Sequence, residues 1–378
     1  MLFQNPFKLN TPYYQYDLEL LDRTLCIARE ESKRYGFQIH YAVKANYDKQ
    51  ILRKIRSAGF GIDCVSGNEV SFALNQGFKA ESLVFAGVGK SDYDIEMSLK
   101  AGILCLNIES LEELEVVASI AESLELVAAV ALRLNPDISA HTHPHITTGK
   151  SENKFGIPES QLQRALNLCI DHPWIKFRGL HFHIGSQITS LEPFRELCKK
   201  VNQIWDSFNI QSYGPDMINL GGGLGIDYHD PEKNPIPDFE KYFRIFHENL
   251  RLPSMVKRHF ELGRSLTAQC GSLITKVLYV KDGAAKKHVI VDAGMTELIR
   301  PVLYGAFHKI ENTKFRERTL VYDVVGPICE SSDHFAKGIE LSETNRGDIL
   351  QIHSCGAYAE SMSMNYNLRG TIGRIYNE

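Results

Sequence analysis

A chain of 378 residues, 43% hydrophobic and 23% charged, has the apolar content for a sizeable core and room for more than one domain, which excludes a disordered or collagen-like polymer. Its 42 basic and 46 acidic residues leave a formal charge of -4, with no basic run able to neutralise many phosphates, so no nucleic-acid partner is expected. The longest aliphatic run, residues 126–132, is seven residues against the roughly 18 a membrane helix needs. The N-terminal residues carry neither a signal nor a transit pattern, so a soluble, cytoplasmic protein with no membrane partner is expected.

Residues 11–17 read as extended and are expected to join a β domain formed mostly by the far end of the chain. From residue 39 onward, short β-branched runs alternate with segments of helical period, the sign of βα units around a parallel sheet. The strand-like runs are 39–44, 61–65, 83–87, 103–108, 127–135, 179–184, 217–220 and 258–261. Eight of them in this span predict a (β/α)8 barrel, whose usual size is roughly 250 residues; a doubly wound open sheet is the alternative. Helical stretches lie between them at 48–57, 109–123 and 158–171, the last opening on Pro158, which a first helical turn tolerates. The long connection 136–176 contains a Gly/Thr/Asn-rich piece at 145–156, and loops of that length on barrels are often functional. Beyond Arg264 the runs 273–280, 288–291, 319–325 and 348–353 are separated by Gly, Asp and Lys turns with little helical pattern. They predict a separate all-β domain of barrel or sandwich type. The expected division is 21–264 for the barrel and 1–20 with 265–378 for the β domain.

In such barrels catalytic groups come from the C-terminal ends of strands, and phosphate is commonly held after the seventh and eighth. Lys44 ends the first strand in an apolar setting suited to a Schiff-base amine; taken alone, a surface lysine just past a strand is the plainer reading. His181 and His183 share a strand face, followed by Gly185 and Ser186, whose hydroxyl could serve an anion; a satisfied core histidine is the plain alternative. Gly221, Gly222 and Gly223 follow the seventh strand, where adjacent glycines let backbone N–H groups wrap a phosphate, although a tight turn also uses glycine. Glu261 closes the eighth strand with Gly263 and Arg264 beyond, a carboxylate and a guanidinium that could be a simple salt bridge. Taken together, an amine for an aldehyde, a carboxylate for a ring nitrogen and glycines for a phosphate are the attachment points of pyridoxal 5'-phosphate. The eight cysteines lie 26 to 72 positions apart, without the close pairs of a zinc or redox motif. The cluster His141, His143, His145 lacks further ligands, so no metal is expected.

The segments Tyr41-Ala-Val-Lys-Ala-Asn46, His183-Ile-Gly-Ser186, Gly221-Gly-Gly223 and Glu261-Leu-Gly-Arg-Ser265 resemble the signatures of the fold-type III, alanine-racemase-like pyridoxal-phosphate decarboxylases, most of all their diaminopimelate decarboxylase branch. The likeness extends to Thr142–Gly149 with 153–156, to Arg300-Pro-Val-Leu-Tyr304, to Gly326-Pro-Ile-Cys-Glu330 with Asp333, and to Gly356-Ala-Tyr358. It implies that Lys44 binds the cofactor aldehyde, His183 stacks on the pyridine face and Glu261 pairs with its nitrogen. Gly223, Gly263, Arg264 and Tyr358 would line the phosphate and the adjoining substrate region. It also implies a homodimer with shared active sites, in which Cys329, as proton donor, and Glu330 reach into the partner's site. Two departures are Leu262, where the family usually has Pro, and Thr296, where Asn is common; neither removes a catalytic group.

A carboxylate beside the ring nitrogen keeps it protonated and strengthens the electron sink, which favours loss of CO2 over racemisation. Arg264, Arg300 and Tyr304 offer donors for a distal carboxylate, Glu330 an acceptor for an ammonium. The expected substrate is therefore meso-2,6-diaminopimelate, decarboxylated at the D-configured centre, as the resemblance implies, to L-lysine. A decarboxylase of ornithine, arginine or carboxynorspermidine is the alternative within the fold; a cofactor-free regulator and a cofactor-independent Schiff-base aldolase are alternatives outside it.

Overall fold

The computed structural model describes residues 10–138 and 154–377. Strand β1 (Tyr13–Asp17) and helix α1 (Leu18–Arg34) come first. They are followed by β2 (Gln38–Ala42), α2 (Lys49–Ser57), β3 (Gly61–Cys64), α3 (Gly67–Asn75), β4 (Leu83–Phe85), α4 (Asp92–Ala101), β5 (Cys105–Ile108) and α5 (Leu111–Leu124). Next come β6 (Ala128–Leu134), α6 (Leu162–Asp171), β7 (Ile175–Phe182), α7 (Glu192–Ser207), β8 (Met217–Asn219), α8 (Phe239–Asn249) and β9 (Lys257–Leu262). Strands β2 to β9 pair in parallel and in sequence order, and β9 closes on β2. The barrel expected from the eight runs is thus present, and the open sheet is not.

Local chemistry starts several of the helices that follow the strands. Asp48 accepts from the Gln50 and Ile51 amides at the head of α2, Ser91 and Asp94 form a capping box on α4, and Ser110 accepts from the Glu113 amide on α5, each cap contributing about 1 kcal/mol. Helix α8 buries Phe239, Tyr242, Phe243 and Phe246. The rings of Tyr242, Phe243 and Phe246 lie 4.8–5.8 Å from that of Phe260 on β9. Truncating Phe260 to Ala would cost about 3–5 kcal/mol.

One strand differs from its sequence reading. The run expected to begin at Gly179 is the second half of β7, which starts at Ile175. A side chain on Gly179 would lie 1.8 Å from the Met217 carbonyl oxygen. The glycine that looked like a strand boundary is an interior position where the neighbouring backbone comes too close for a Cβ.

Beyond the barrel are a short α9 (Arg264–Thr267), β10 (Gly271–Asp282), β11 (Lys287–Val291), α10 (Arg300–Tyr304), β12 (Ile310–Asn312), β13 (Thr319–Val325), β14 (His334–Ser342), β15 (Ile349–Ile352) and β16 (Gly373–Asn377). The sheet order is β12-β15-β10-β11-β13-β14, and β1 pairs antiparallel with β10 and parallel with β16. The N-terminal strand is therefore taken up by the β region. Three strands were not foreseen: β14 is interrupted by Gly338 at positive φ, and β12 and β16 are short and part-exposed, so none carries a clear period-2 pattern.

The chain divides into two compact units. One comprises residues through Arg23, Ile226–Ile236 and Thr267 onward; the other comprises Thr24–Gly225 and Pro237–Leu266. No local pattern in Ile226–Ile236 separates it from the barrel. No helix among the described residues is long and apolar enough to cross a membrane.

Candidate active site

Alternate residues of a strand point to one face, and inside the barrel this sorts polar from apolar. Val84, Cys105, Ala131 and Met217 form a buried apolar cluster. Two residues further along their strands, Asn107 on β5, Arg133 on β6 and Asn219 on β8 are buried polar side chains, joined by Asp63 on β3, His181 on β7 and Glu261 on β9.

Glu261 is the centre of this layer. Its Oε1 accepts from Asn219 Nδ2 at 2.6 Å and Asn107 Nδ2 at 3.2 Å, and its Oε2 lies 3.1 Å from His181 Nε2. Burial pushes the carboxyl pKa up, but His181 and Lys44 outweigh burial and hold it below the ordinary carboxylate range. The interior therefore contains a fixed, hydrogen-bonded anion supplied by four strands.

Lys44 lies just beyond β2 and its Nζ is 3.1 Å from Asp63 Oδ2. The lysine side chain is 41% exposed and that of Asp63 is 1% exposed. The apolar setting expected for Lys44 is thus corrected: its neighbour is a buried carboxylate, because β3 directs Asp63 to the same mouth of the barrel. Burial and the Glu261 charge raise the Asp63 pKa to about 7, against the opposing pull of Lys44. Asp63 Oδ1 is buried and has no hydrogen-bond partner among the described residues.

His183 follows β7, and its Nδ1 accepts from the Gly222 amide at 3.2 Å. Desolvation and the Arg133 guanidinium push the imidazole down to about 3, so it is a neutral ring whose Nδ1 lone pair is held by backbone. The glycine loop is threaded between strand ends. Side chains on Gly221, Gly222 and Gly223 would meet the carbonyl oxygens of Phe182, Glu261 and Gly185 at 2.3, 1.8 and 2.6 Å. Gly221 and Gly223 also have φ of +66° and +107°, conformations that favour glycine. Beside the loop, Arg264 Nη2 donates to Ser186 Oγ at 3.1 Å.

Residues that the sequence reading did not single out support this mouth. Arg133 pairs with Glu109 at 2.6 Å, and Glu109 also accepts from the Gly87 and Gly156 amides. Arg133 further packs over the Phe155 ring at 4.7 Å. Lys90, buried to 1% exposure, pairs with Glu113 at 2.6 Å. The cluster His141, His143, His145 and the motif Thr142–Gly149 lie outside the described residues.

In the β unit, Arg300 and Tyr304 stand one helical turn apart on α10; Arg300 is 4% exposed. Tyr358 has φ +58°, a conformation uncommon for an aromatic residue and typical of functional loops. Cys329 is exposed and its amide donates to Asn367 Oδ1 at 2.9 Å. Glu330 accepts from Tyr366 Oη at 2.7 Å. The buried Asp333 anchors that loop by accepting from the Ile328 and Met295 amides, both at 2.7 Å. Thr296 is buried and donates to Glu297, while Leu262 is buried in β9. Glu232, Glu311 and His353 have ligand atoms close enough to share a cation, but Lys309 already pairs with both carboxylates.

An amine beside a buried carboxylate, a fixed interior anion, a neutral imidazole with one nitrogen held by backbone and a glycine run with no room for side chains are what a pyridine aldehyde phosphate requires. The family described as "Pyridoxal-dependent decarboxylase, pyridoxal binding domain" matches residues 24–268. The chain belongs to the pyridoxal-dependent decarboxylases. Pyridoxal 5'-phosphate is accordingly its cofactor, and the residues above fit it. Over 362 residues the chain is 49% identical to the diaminopimelate decarboxylase of Bacteroides thetaiotaomicron, covering 96% of this chain and 94% of that one. The crystal structure of the Helicobacter pylori diaminopimelate decarboxylase complexed with L-lysine superposes with a TM-score of 0.93 at 39% identity, covering 98% of this chain and 92% of the other. A Vibrio vulnificus lysine/ornithine decarboxylase shares the fold at 20% identity, with a TM-score of 0.85 and coverage of 98% and 95%.

Proposed function

We propose that the chain decarboxylates meso-2,6-diaminopimelate at its D-configured centre to give L-lysine and CO2, the last step of lysine biosynthesis. The observation that carries this reading is near-full-length likeness to diaminopimelate decarboxylases, at 37–49% identity, in a chain whose barrel mouth has the donor set just described.

When bound, pyridoxal phosphate supplies an electron sink for the pair released as CO2 departs. The chain's own groups do the rest. Lys44 is the amine that carries the aldehyde, with Asp63 as its ionic partner when it is free. Glu261, held ionised by its two amides and His181, presents negative charge to the ring nitrogen and so keeps a proton there. His183, uncharged and fixed by the Gly222 amide, offers a flat face for stacking. Gly221, Gly222, Gly223, Gly263, Ser186 and Arg264 hold phosphate, with Tyr358 as a further donor.

In this reading the recognition groups come from the β unit, apart from Arg264 of the barrel unit. Arg300, Tyr304 and Arg264 receive the distal carboxylate and Glu330 the distal ammonium; Cys329 delivers the proton that replaces CO2. Exposure of Cys329 and Glu330 supports their service to a second subunit, so the working form is a homodimer with shared sites. The protein is expected to act in the cytoplasm.

The deciding assay is lysine formation from meso-diaminopimelate with and without added cofactor; no lysine from cofactor-loaded protein overturns the reading. Lys44→Ala should abolish both turnover and the visible absorbance of the bound cofactor. Arg300→Ala should lower diaminopimelate turnover by about 100-fold or more, the usual scale for removing a charged hydrogen-bonding partner. An equal loss with simple diamino acids would contradict its carboxylate assignment.

A further inference from the structure

Arg300 is buried, but α10 is only five residues long, and a side chain with four rotatable bonds is not fixed by its backbone alone. Two neighbours among the described residues help to fix it. Nη1 donates to Tyr228 Oη at 2.8 Å and to His308 Nε2 at 2.7 Å, and the guanidinium carbon lies 5.0 Å from the Tyr228 ring centre. The Tyr228 and His308 rings meet edge to face, with centroids 4.9 Å apart at 71°. His308 Nδ1 is 2.8 Å from the His353 carbonyl oxygen. A carbonyl can only accept, so the imidazole proton is on Nδ1 and Nε2 presents a lone pair to the guanidinium. These two bonds from Nη1 therefore end on neutral acceptors, and they orient the cation without cancelling its charge.

Tyr228 reaches this position through the excursion Ile226–Ile236, the stretch that clusters with the β unit although it lies between β8 and α8 in sequence. That stretch is built to hold its form. Asp227 accepts from the His229 and Asp230 amides and from Asn234 Nδ2, at 2.8–3.0 Å. Gln269 donates to the Asp227 and Asn234 carbonyls at 3.0 and 3.2 Å.

We propose that Tyr228 and His308 are positioning residues for Arg300, fixing its guanidinium so that ligands ending in an α-amino-acid group are selected over those ending in a bare ammonium. This rests on the reading of Arg300 as the receiver of the distal carboxylate. A guanidinium gains most from a carboxylate when its planar fork is already aligned, because no rotamer entropy is then lost on binding. The product L-lysine keeps the distal amino-acid end intact, while cadaverine carries an ammonium there and no carboxylate, so the pair isolates the group being recognised.

The experiment measures, on holoenzyme, KM and kcat for meso-diaminopimelate and competitive inhibition constants for L-lysine and cadaverine. Tyr228→Phe keeps the ring and deletes one acceptor. It should raise KM and the L-lysine constant about tenfold, the equivalent of ~1.4 kcal/mol, while kcat, cofactor absorbance and the cadaverine constant change less than about twofold. His308→Gln, which keeps a neutral acceptor, should stay close to wild type, and His308→Leu should follow Tyr228→Phe. If His308→Leu does not fold, Tyr228→Phe decides alone. Equal weakening of both inhibitors, or no change in either, overturns the proposal. Arg300→Ala separates the two levels: if it leaves the ratio of the two constants unchanged, the reading of Arg300 fails. If it collapses that ratio while Tyr228→Phe does not, only the positioning role fails.

Discussion

In the barrel, Glu261 is enclosed by side chains from three other strands, and each of its oxygens has a hydrogen-bond partner within the chain. In the β unit, Cys329 and Glu330 lie exposed on a loop whose buried anchor is Asp333. The barrel groups are preorganised because a closed sheet leaves their strands no freedom, and a buried charge in that interior must be satisfied locally or neutralise. The loop pays no such desolvation cost in the single chain, and its reactive groups are left available to another molecule. Under the proposed function, the cofactor half of the chemistry is complete within one chain, while the groups proposed as proton donor and ammonium acceptor serve a neighbour.

The sharpest way to break the first half of that contrast is Glu261→Gln. With the anion gone, the ring nitrogen loses its proton-holding partner, and kcat should fall by about a thousandfold, within the range seen when a charge-stabilising group is removed. The visible cofactor absorbance should persist. Turnover within tenfold of wild type would show that the fixed interior anion is not what drives decarboxylation.

The second half can be tested by mixing two inactive variants, Lys44→Ala and Cys329→Ala. In a two-fold dimer with shared sites, half of the randomly mixed dimers are hybrids with one intact site of two, so about a quarter of wild-type activity should return. Absence of recovery after proven subunit exchange would place Cys329 outside the partner's site.

A smaller effect sharpens the claim that buried charges are satisfied within their own unit. Asp348 accepts from Arg316, Asn312 and the Asn345 amide at 2.7–3.2 Å. Burial opposes ionisation, yet Arg316, the Asn345 amide, Asn312 and Lys314 hold its carboxyl well below the ordinary range. A depressed folded pKa means stability that is present above the unfolded value of about 4 and is lost as pH falls below it. Asp348→Asn should therefore destabilise the protein by about 1–3 kcal/mol near pH 7, with the difference from wild type shrinking below about pH 4 in thermal melts.

The βα alternation, the extended N-terminal segment and the motif residues Lys44, His183, Gly221 to Gly223 and Glu261 were all legible in the sequence. Asp63, Asn107, His181 as a partner of Glu261, and Asn219 were not recognised as a group. Each is one polar residue at an inward position of a different strand, within Gly-Ile-Asp-Cys, Cys-Leu-Asn-Ile, Leu-His-Phe-His and Met-Ile-Asn-Leu. A polar residue at a core-facing parity was the signal available, and only barrel closure shows that these residues meet. Tyr228 and His308 lie 72 and 8 positions from Arg300 in stretches with no motif, so nothing linear joined them.

By itself the sequence determined which elements form and which residue types stand at strand ends, because period, turn chemistry and glycine runs act over a few neighbours. The tertiary structure alone decided that Lys44 faces a carboxylate, that Glu261 is kept ionised, that Gly179 lies inside a strand and that Ile226–Ile236 supports Arg300. Those outcomes depend on contacts between residues tens to hundreds of positions apart, where desolvation and hydrogen-bond geometry, not local preference, set the energy.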